Sequence, residues 1–469
     1  MARERSLFTC IECGHTEVRW MGRCPQCGAW NAFREKGGDP AGTKGRSSRG
    51  LRRAENVVEP EPLVRIDLDP LHRYPVQPED LNRVLGGGLV PGSILLLGGA
   101  PGVGKSTLLT MLTRDFAHHG KRAVYLSAEE SAAQVRRRAE RLGRIEEGFL
   151  IVDEPCLERV LPALYENPPA FLVVDSIQAV YSNELDGIAG SVSQIRFCGG
   201  LLADFARSTG CAVALVGHVT KDGDLAGPRV LEHLVDAVLY FEPDPHGRVR
   251  IVRAFKNRFG AIGELAVMEM TQEGLRPVRD VSAMFLAGRL VNEAGSAVTA
   301  VQSGSRPFLV ELQALLTPTR YGTPARVVSG MDGRRVALLA AILDRKSDVS
   351  TAGMDIFVKV AGGLRVTDPA ADLALACAMA SSLRDRPLLG ETIFLGEVGL
   401  TGELRPAENL PPRLNEAAAH GFRKAVVARL PGQKLPSVRG LEILPVRTLA
   451  AAVAMAFGLK PVESGEGGA

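Results

Sequence analysis

Between residues 93 and 216 the chain alternates between two patterns. Short apolar runs recur at Ser93–Leu97, Ala123–Leu126, Phe149–Val152, Phe171–Val174 and Ala212–Val216. Such runs, bounded by polar or glycine-containing segments, are the pattern of strands buried on both faces. Between them Leu108–Ala117, Ser131–Leu142 and Val192–Ser208 carry apolar residues at helical spacing. Ser131 with Gln134 three residues later is a capping-box start. Buried strands alternating with amphipathic helices predict an α/β fold with a mostly parallel sheet covered on both faces. The runs Ala237–Phe241, Arg248–Phe255 and Glu264–Met270 alternate more strongly and predict antiparallel strands added at one edge.

The pattern changes from about residue 281. Ala297–Val301, Phe308–Leu316, Arg326–Val328 and Asp355–Val360 read as strands, Val336–Leu343 and Ala370–Leu383 as helices. Upstream of the first sheet, glycine, proline, serine and arginine dominate residues 34–62. That segment reads as a basic flexible linker spanning roughly 30 Å root-mean-square. The expected organisation is a small N-terminal unit at 1–33, the linker at 34–62, an α/β domain at 63–280, a second α/β domain at 285–458, and a disordered tail at 459–469. A chain of 469 residues is too long for a single core, which agrees with that division.

Composition adds little and excludes some classes. A formal net charge of +3 gives no argument for nucleic acid from the total alone. No apolar run is long enough for a membrane span, and Met1–Arg5 opens no secretory signal, so a cytoplasmic protein with no membrane partner is expected. Cysteine usage is more informative. Cys156, Cys198, Cys211 and Cys377 lie in apolar or helical surroundings and read as small buried hydrophobes. The other four form Cys10-x-x-Cys13 and Cys24-x-x-Cys27 within a short N-terminal segment. Four thiolates at this spacing suit a closed tetrahedral Zn²⁺ site, whose binding energy substitutes for a core that so short a unit cannot build. His15 is a weaker ligand candidate, since four sulfurs already close the shell. Trp20 and Trp30 either pack this knuckle or face a partner.

The densest chemistry follows the first apolar run. Gly99-Ala100-Pro101-Gly102-Val103-Gly104-Lys105-Ser106-Thr107 lies between strand and helix, which is the P-loop in its required frame. Backbone N–H groups and the helix N-terminus gather phosphate oxygens there; Lys105 holds the β- and γ-phosphates, and Ser106 ligates Mg²⁺. Asp175, closing the run Phe171–Val174, is the Walker B carboxylate on the Mg²⁺ side. Glu129, at the end of the strand through Leu126, is placed to orient and deprotonate the attacking water, with Glu130 as the alternate. His218 ends another strand where it can sense the γ-phosphate. The glycine-rich loop 221–229, with Lys221 and Arg229, and the helix around Gln194 and Arg196 are candidates to face nucleic acid in a central channel. Lys256 and Arg258, at a strand end, are candidates to reach a neighbouring subunit's active site and stabilise charge on its γ-phosphate.

Together these pieces resemble the RecA/DnaB class of ring- or filament-forming ATPases, and more closely the RadA (Sms) family of bacterial repair proteins. The marks are the four-cysteine knuckle, Leu85-Gly86-Gly87-Gly88-Leu89-Val90-Pro91-Gly92-Ser93, Ala128-Glu129-Glu130-Ser131 and Lys256-Asn257-Arg258-Phe259-Gly260. From about residue 285 the chain is similar to the proteolytic domain of Lon protease. There Ala370 stands at the serine position and Pro411 at the lysine position, so the nucleophile and its base are both missing. The resemblance implies a homohexameric, ATP-driven motor on single-stranded and branched DNA, promoting branch migration together with the RecA recombinase, with ATP, Mg²⁺ and Zn²⁺ as cofactors. An ATP-gated DNA-binding scaffold and an ATP-dependent protease are the competing classes. Arg334, Arg335, Arg345 and Lys346 either line a DNA-facing surface or form a soluble rim.

Overall fold

The computed structural model describes residues 7–10, 15–17, 20–29, 33–36, 62–65, 72–218, 230–243, 249–320 and 322–459. The chain divides into two compact units, Met1–Leu68 and Asp69–Ala469. In the first, β1 (Leu7–Cys10) pairs antiparallel with β2 (Thr16–Glu17) on one side and β3 (Phe33–Lys36) on the other.

Among its described residues the second unit holds two large sheets and a two-stranded ribbon, Glu397–Val398 with Leu404–Arg405. The first begins with β4 (Ile94–Gly99), β5 (Ala123–Ser127), β6 (Phe149–Val152), β7 (Phe171–Asp175) and β8 (Ala212–His218). It continues through β9 (Ala237–Pro243), β10 (Val249–Asn257), β11 (Leu265–Thr271) and β12 (Gly274–Pro277). Across the sheet the order is β12-β11-β10-β9-β4-β8-β7-β5-β6. One expectation is corrected here. β9 is not an antiparallel addition; it runs parallel to β4, and only β10–β12 are antiparallel. The cause is burial: Ala237–Leu239 and Phe241 are enclosed, so β9 sits inside the sheet like the strands before it.

Helices α1 (Asp80–Leu85), α2 (Lys105–His118), α3 (Ala132–Arg141), α4 (Leu157–Glu166) and α5 (Val192–Thr209) accompany this sheet. Leu95 and Leu97 of β4 join a core with α1 and α2, while Ile94 and Leu96 join one with α4 and α5. This is the strand alternation of side chains expressed as two covered faces. Ser131 and Gln134 form the expected capping box at the start of α3.

The second sheet has the strand order Arg326–Ser329, Met354–Val360, Arg306–Pro318, Ser296–Ser303, Thr392–Leu395, Lys424–Ala428 and Glu442–Val446. Its helix Asp372–Leu383 is buried all round from Asp372 to Ser381, which is why its sequence shows apolar residues without a polar face. The expected boundary near 281–285 falls in a short helix, Val281–Leu286. One apolar core runs across it, joining Ile251, Leu265 and Val267 of the first sheet to Phe285, Phe308 and Val310. Among the described residues no helix is long and apolar enough to cross a membrane.

Candidate functional site

The P-loop lies at the carboxyl end of β4, at the centre of the sheet, where open α/β folds gather ligands. Two of its glycines are there for steric reasons. A Cβ on Gly104, which has φ +111°, would lie 2.6 Å from Met270 Cε; one on Gly99 would lie 2.5 Å from the Phe241 carbonyl oxygen. The carbonyl cannot give way, so a side chain on Gly99 would push the loop off its support; the end of Met270 can move aside, and at Gly104 it is the positive φ that requires glycine. Ala100, Pro101 and Gly102 are exposed, Val103 is buried, and Ser106 and Thr107 are partly covered. No acidic residue occupies the first turn of α2, so its N-terminus is free of the carboxylate that would repel a phosphate. Arg250 on β10 donates from Nε to the Val103 carbonyl at 2.8 Å and ties the loop to the antiparallel side of the sheet.

Lys105 is buried and points back into the loop. Its Nζ donates to the Gly99 and Ala100 carbonyls at 2.7 and 3.0 Å and lies 3.4 Å from His218 Nδ1. Burial lowers its pKa from the usual lysine value, with the charges of Asp175 and Glu129 opposing that shift. An ammonium only donates, so His218 Nδ1 accepts and the imidazole proton sits on Nε2. That nitrogen faces Glu129 Oε1 at 3.3 Å, and the Ser176 hydroxyl donates to the same oxygen. The His218 hydrogen bond, with help from Ser176, lowers the Glu129 pKa against the opposing effect of burial, so its carboxylate is ionised at neutral pH. Glu130 is pulled elsewhere: its carboxylate pairs with Arg138 on α3, which leaves Glu129 as the carboxylate turned toward the loop.

Asp175 ends β7 and is buried; the Asp175–Ser176 peptide bond is cis. Its Oδ2 accepts a hydrogen bond from the hydroxyl of Tyr125 on β5. Lys105, Glu129, Asp175 and His218 thus converge from four neighbouring strand ends. Sequence reasoning missed Ser176 and Tyr125. Ser176 could have been found from its place directly after the Walker B carboxylate; Tyr125 was hidden inside an apolar run.

Lys256 and Arg258 lie at the other end of the sheet. Lys256 is in register with Val238, and Val238 with Leu96, three positions before Gly99. At about 3.3 Å per residue that is roughly 10 Å below the loop. Lys256 Nζ donates to the Glu232 and Val235 carbonyls, and Arg258 Nη1 lies 3.1 Å from Asp236 Oδ1. Asn257 anchors the turn, donating to the Val84 carbonyl at 3.1 Å and accepting from Phe259 N at 2.8 Å. The glycine-rich segment after α1 packs here: a Cβ on Gly86 would lie 2.6 Å from the Phe259 carbonyl oxygen. Leu85–Gly88 and Lys256–Gly260, distant in sequence, therefore form one structural element.

Arg196 is exposed on α5, but Gln194 is fully buried. Its amide holds Ser182 and Leu185, with contacts of 3.0 Å from Ser182 N, 2.9 Å to Ser182 O and 2.5 Å to Leu185 O. Gln194 thus braces the loop before α5 and presents nothing to a channel, a correction to its expected place. Lys221 and Arg229 lie outside the described residues.

Among the described residues, Cys10, Cys24 and Cys27 bring their sulfurs within 4.8 Å of one another, with Cys10 Sγ 3.7 Å from Cys27 Sγ. Tetrahedral zinc with Zn–S bonds of about 2.3 Å requires sulfur separations of about 3.8 Å, so these thiolates fit zinc. Backbone turns close both loops, from Cys10 N to His15 O and from Cys24 N to Ala29 O, each 2.8 Å. His15 Nε2 faces Glu17 at 3.2 Å rather than the sulfurs; Trp20 is exposed. Cys13 and Trp30 lie outside the described residues. Metal analysis should therefore find one zinc per chain. Cys24→Ser should lose it and unfold the N-terminal unit, since binding supplies roughly 10–16 kcal/mol of apparent folding energy. Retained zinc at wild-type stoichiometry would contradict the assignment.

In the second sheet Ala370 is buried in a short turn, and Pro411 lies in the first turn of the helix Leu410–Ala419. Arg413, 2% exposed, donates to Asp368 Oδ2 and to the Ala300 carbonyl, each at 2.6 Å. Asp368 also accepts from Gln302 N at 2.8 Å and from Ala370 N at 2.9 Å.

Comparison with known proteins agrees with this anatomy. Family models described as an AAA domain, a rubredoxin metal binding domain and subunit ChlI of Mg-chelatase match residues 59–224, 8–35 and 322–430. The solved structure of a KaiC-like protein from Pyrococcus horikoshii aligns over 45% of this chain and 100% of its own, at 20% identity and a TM-score of 0.38. The DNA repair protein RadA of Bacillus subtilis is 42% identical over 462 residues, covering 98% of this chain and all of the relative. That of Pseudomonas aeruginosa is 42% identical over 457 residues, 97% of this chain and all of the relative. With zinc ribbon, P-loop core and Lon-like C-terminal domain in the same order, the chain belongs to the RadA family of bacterial DNA repair proteins.

Proposed function

We propose that this chain is a cytoplasmic DNA-dependent ATPase that works as a ring-forming motor in recombinational repair. It promotes branch migration of recombination intermediates on single-stranded and branched DNA together with the RecA recombinase. The observation that carries this reading is the separation of its two sets of charged residues. Lys105, Glu129, Asp175 and His218 meet at the P-loop, while Lys256 and Arg258 stand at the opposite sheet end. A site whose cations cannot reach their own phosphates is completed by a neighbouring subunit, and a ring is the closed arrangement that serves every site equally.

The geometry supports the following roles. Gly99 to Thr107 cradle the triphosphate, and Lys105 exchanges its loop carbonyls for β- and γ-phosphate oxygens. Ser106 and Asp175 offer hard oxygen donors that fit Mg²⁺, which neutralises phosphate charge when bound. Glu129 orients the attacking water and takes its proton. His218, held between Lys105 and Glu129, changes partners when a γ-phosphate draws Lys105 forward. It ends β8, immediately before the stretch of sequence that carries Lys221 and Arg229. With Arg196, these cations contact the DNA backbone, and affinity should fall steeply with salt.

Glu129→Gln tests the reading. It should slow hydrolysis by roughly 10²–10⁴ while ATP still binds. DNA binding should persist and strand displacement should vanish. An ATP-gated scaffold predicts no displacement by the wild type either, and hydrolysis indifferent to DNA at low salt would remove the motor.

The C-terminal domain acts as a scaffold and cleaves no peptides. Ala370 has no hydroxyl and Pro411 has no amine, so neither the nucleophile nor its base is supplied at these positions.

A further inference from the structure

The turn that carries Lys256 and Arg258 is held from distant parts of the chain. Asn257 ties it to the end of α1 through the Val84 carbonyl, and Arg258 N donates to the Asp236 carbonyl at 3.1 Å. Gly260 lies against the glycine segment, where a Cβ would stand 2.5 Å from Gly86 Cα. A further hold comes from a side chain, Arg73. Its Nη2 donates to the Phe259 carbonyl at 3.1 Å and its Nη1 to the Gly86 carbonyl.

The backbone brings Arg73 to this place. Tyr74 pairs antiparallel with Leu89, N–H to carbonyl in both directions, at 2.8 and 2.9 Å. Residues 73–75 therefore run alongside the glycine segment, so close that a Cβ on Gly88 would lie 2.4 Å from the Tyr74 carbonyl oxygen. The Arg73 stem crosses Gly87, where a Cβ would lie 3.2 Å from Arg73 Cδ. Its head thus arrives between two carbonyls of different loops. A planar guanidinium presents separate nitrogens in fixed directions, so it serves both acceptors at once and sets their spacing; an ammonium is a single point.

Arg258 stands between two anchored neighbours, Asn257 before it and Phe259 after it. Its own side chain is 57% exposed and meets Asp236. The backbone of the turn, more than packing around the side chain, therefore sets the direction in which this guanidinium leaves the surface. We propose that Arg73 is a positioning residue for the trans-acting cations: by clamping Phe259 to Gly86 it fixes the Lys256–Gly260 turn and aims Arg258, and with it Lys256, at the site of a neighbouring subunit. It serves its neighbour's hydrolysis rather than its own.

The proposal rests on the reading that Lys256 and Arg258 act across a subunit boundary, and the test separates the two. Arg73→Met keeps a stem over Gly87 and removes the fork. In the full chain its phosphate release should fall by roughly 10²-fold, the cost of a small misplacement of a reacting group. Fluorescent N-methylanthraniloyl-ADP should still bind within about twofold of the wild type, because the variant's own P-loop is unchanged. Mixed at equal concentration with Lys105→Ala, whose cations are intact, it should regain activity at roughly a quarter of interfaces. Mixed with Lys256→Ala it should regain none, since neither chain supplies a complete, correctly aimed pair of cations. Should Arg73→Met fail to bind nucleotide, Arg73→Lys, which keeps stem and charge, should give the same pattern of rescue with a smaller loss. Rescue by Lys256→Ala instead of Lys105→Ala would mean that Arg73 serves its own P-loop and would overturn the proposal. So would turnover within about twofold of the wild type with a lowered melting temperature, the behaviour of a merely structural residue. The control is the mixture of Lys105→Ala with Lys256→Ala. If those two fail to rescue each other, the cross-boundary reading falls and takes the proposal with it; if they do and Lys105→Ala leaves Arg73→Met inactive, the role of Arg73 alone is overturned.

Discussion

Lys105→Ala should abolish ATP hydrolysis, with turnover reduced by at least roughly 10³-fold. The size of the effect follows from where the ammonium sits. It is buried, within 3.0 Å of two loop carbonyls, and near the carboxylates of Glu129 and Asp175. A triphosphate arriving beside those carboxylates meets repulsion that the buried Lys105 ammonium offsets. In so enclosed a place its charge acts at low effective dielectric, which makes the interaction much stronger than in water. Alanine removes three donors at once, leaves the Gly99 and Ala100 carbonyls without that partner, and releases His218 Nδ1. Nucleotide affinity should fall as well, because the same contact serves ground state and transition state. Steady-state phosphate release, with nucleotide binding measured alongside, checks both. Turnover within tenfold of the wild type would refute the P-loop assignment.

The candidate site was legible in sequence to the extent that its chemistry is local. The P-loop and Walker B residues reveal themselves through adjacent positions, since a glycine turn between strand and helix has few other uses. Glu129 could be placed because a strand end in a parallel sheet points to the ligand. Its separation from Glu130 could not be foreseen, because Arg138 decides it from the next helix. Tyr125 and Ser176 were invisible for the same reason: their importance arises from pairing across strands that are distant in the chain. The fold shows the same division. The parallel core was readable from continuous apolar runs, whereas the direction of β9 was not, because an apolar run does not record which neighbour it pairs with. Gln194 read as a channel residue on a helix face. Its burial depends on a loop whose backbone needed an amide, and no periodicity carries that information. The Asp368–Arg413 pair likewise joins residues from separate elements. Arg413 is buried and Asp368 partly so, and their ion pair ties the turn that holds Ala370 to the helix that carries Pro411.

Lys256→Ala and Arg258→Ala should each lower hydrolysis by about 10³–10⁵-fold while leaving nucleotide binding nearly intact. The argument is one of reach. Lys256 lies three register positions below Gly99 and donates to the carbonyls of Glu232 and Val235. Arg258 is held by Asp236, whose other carboxylate oxygen accepts from Ile94 N at 3.0 Å. Both cations are therefore fixed at the start of β4, while the phosphates bind at its end. Burial and the charge of Arg258 lower the Lys256 pKa, with Asp236 and Glu232 opposing; the γ-phosphate of an adjoining subunit would oppose it further and draw the ammonium outward. A complementation experiment isolates this role. Lys105→Ala protomers have a dead P-loop and intact cations; Lys256→Ala protomers have an intact P-loop and no Lys256 ammonium. Either alone should be inactive. Mixed at equal concentration, roughly a quarter of interfaces in a head-to-tail ring pair a working P-loop with a working cation, and activity should return in that proportion. A mixture as inactive as its components, in assemblies shown to exchange subunits, would mean that Lys256 acts on its own chain, and the separation of the two charged sets would need another explanation.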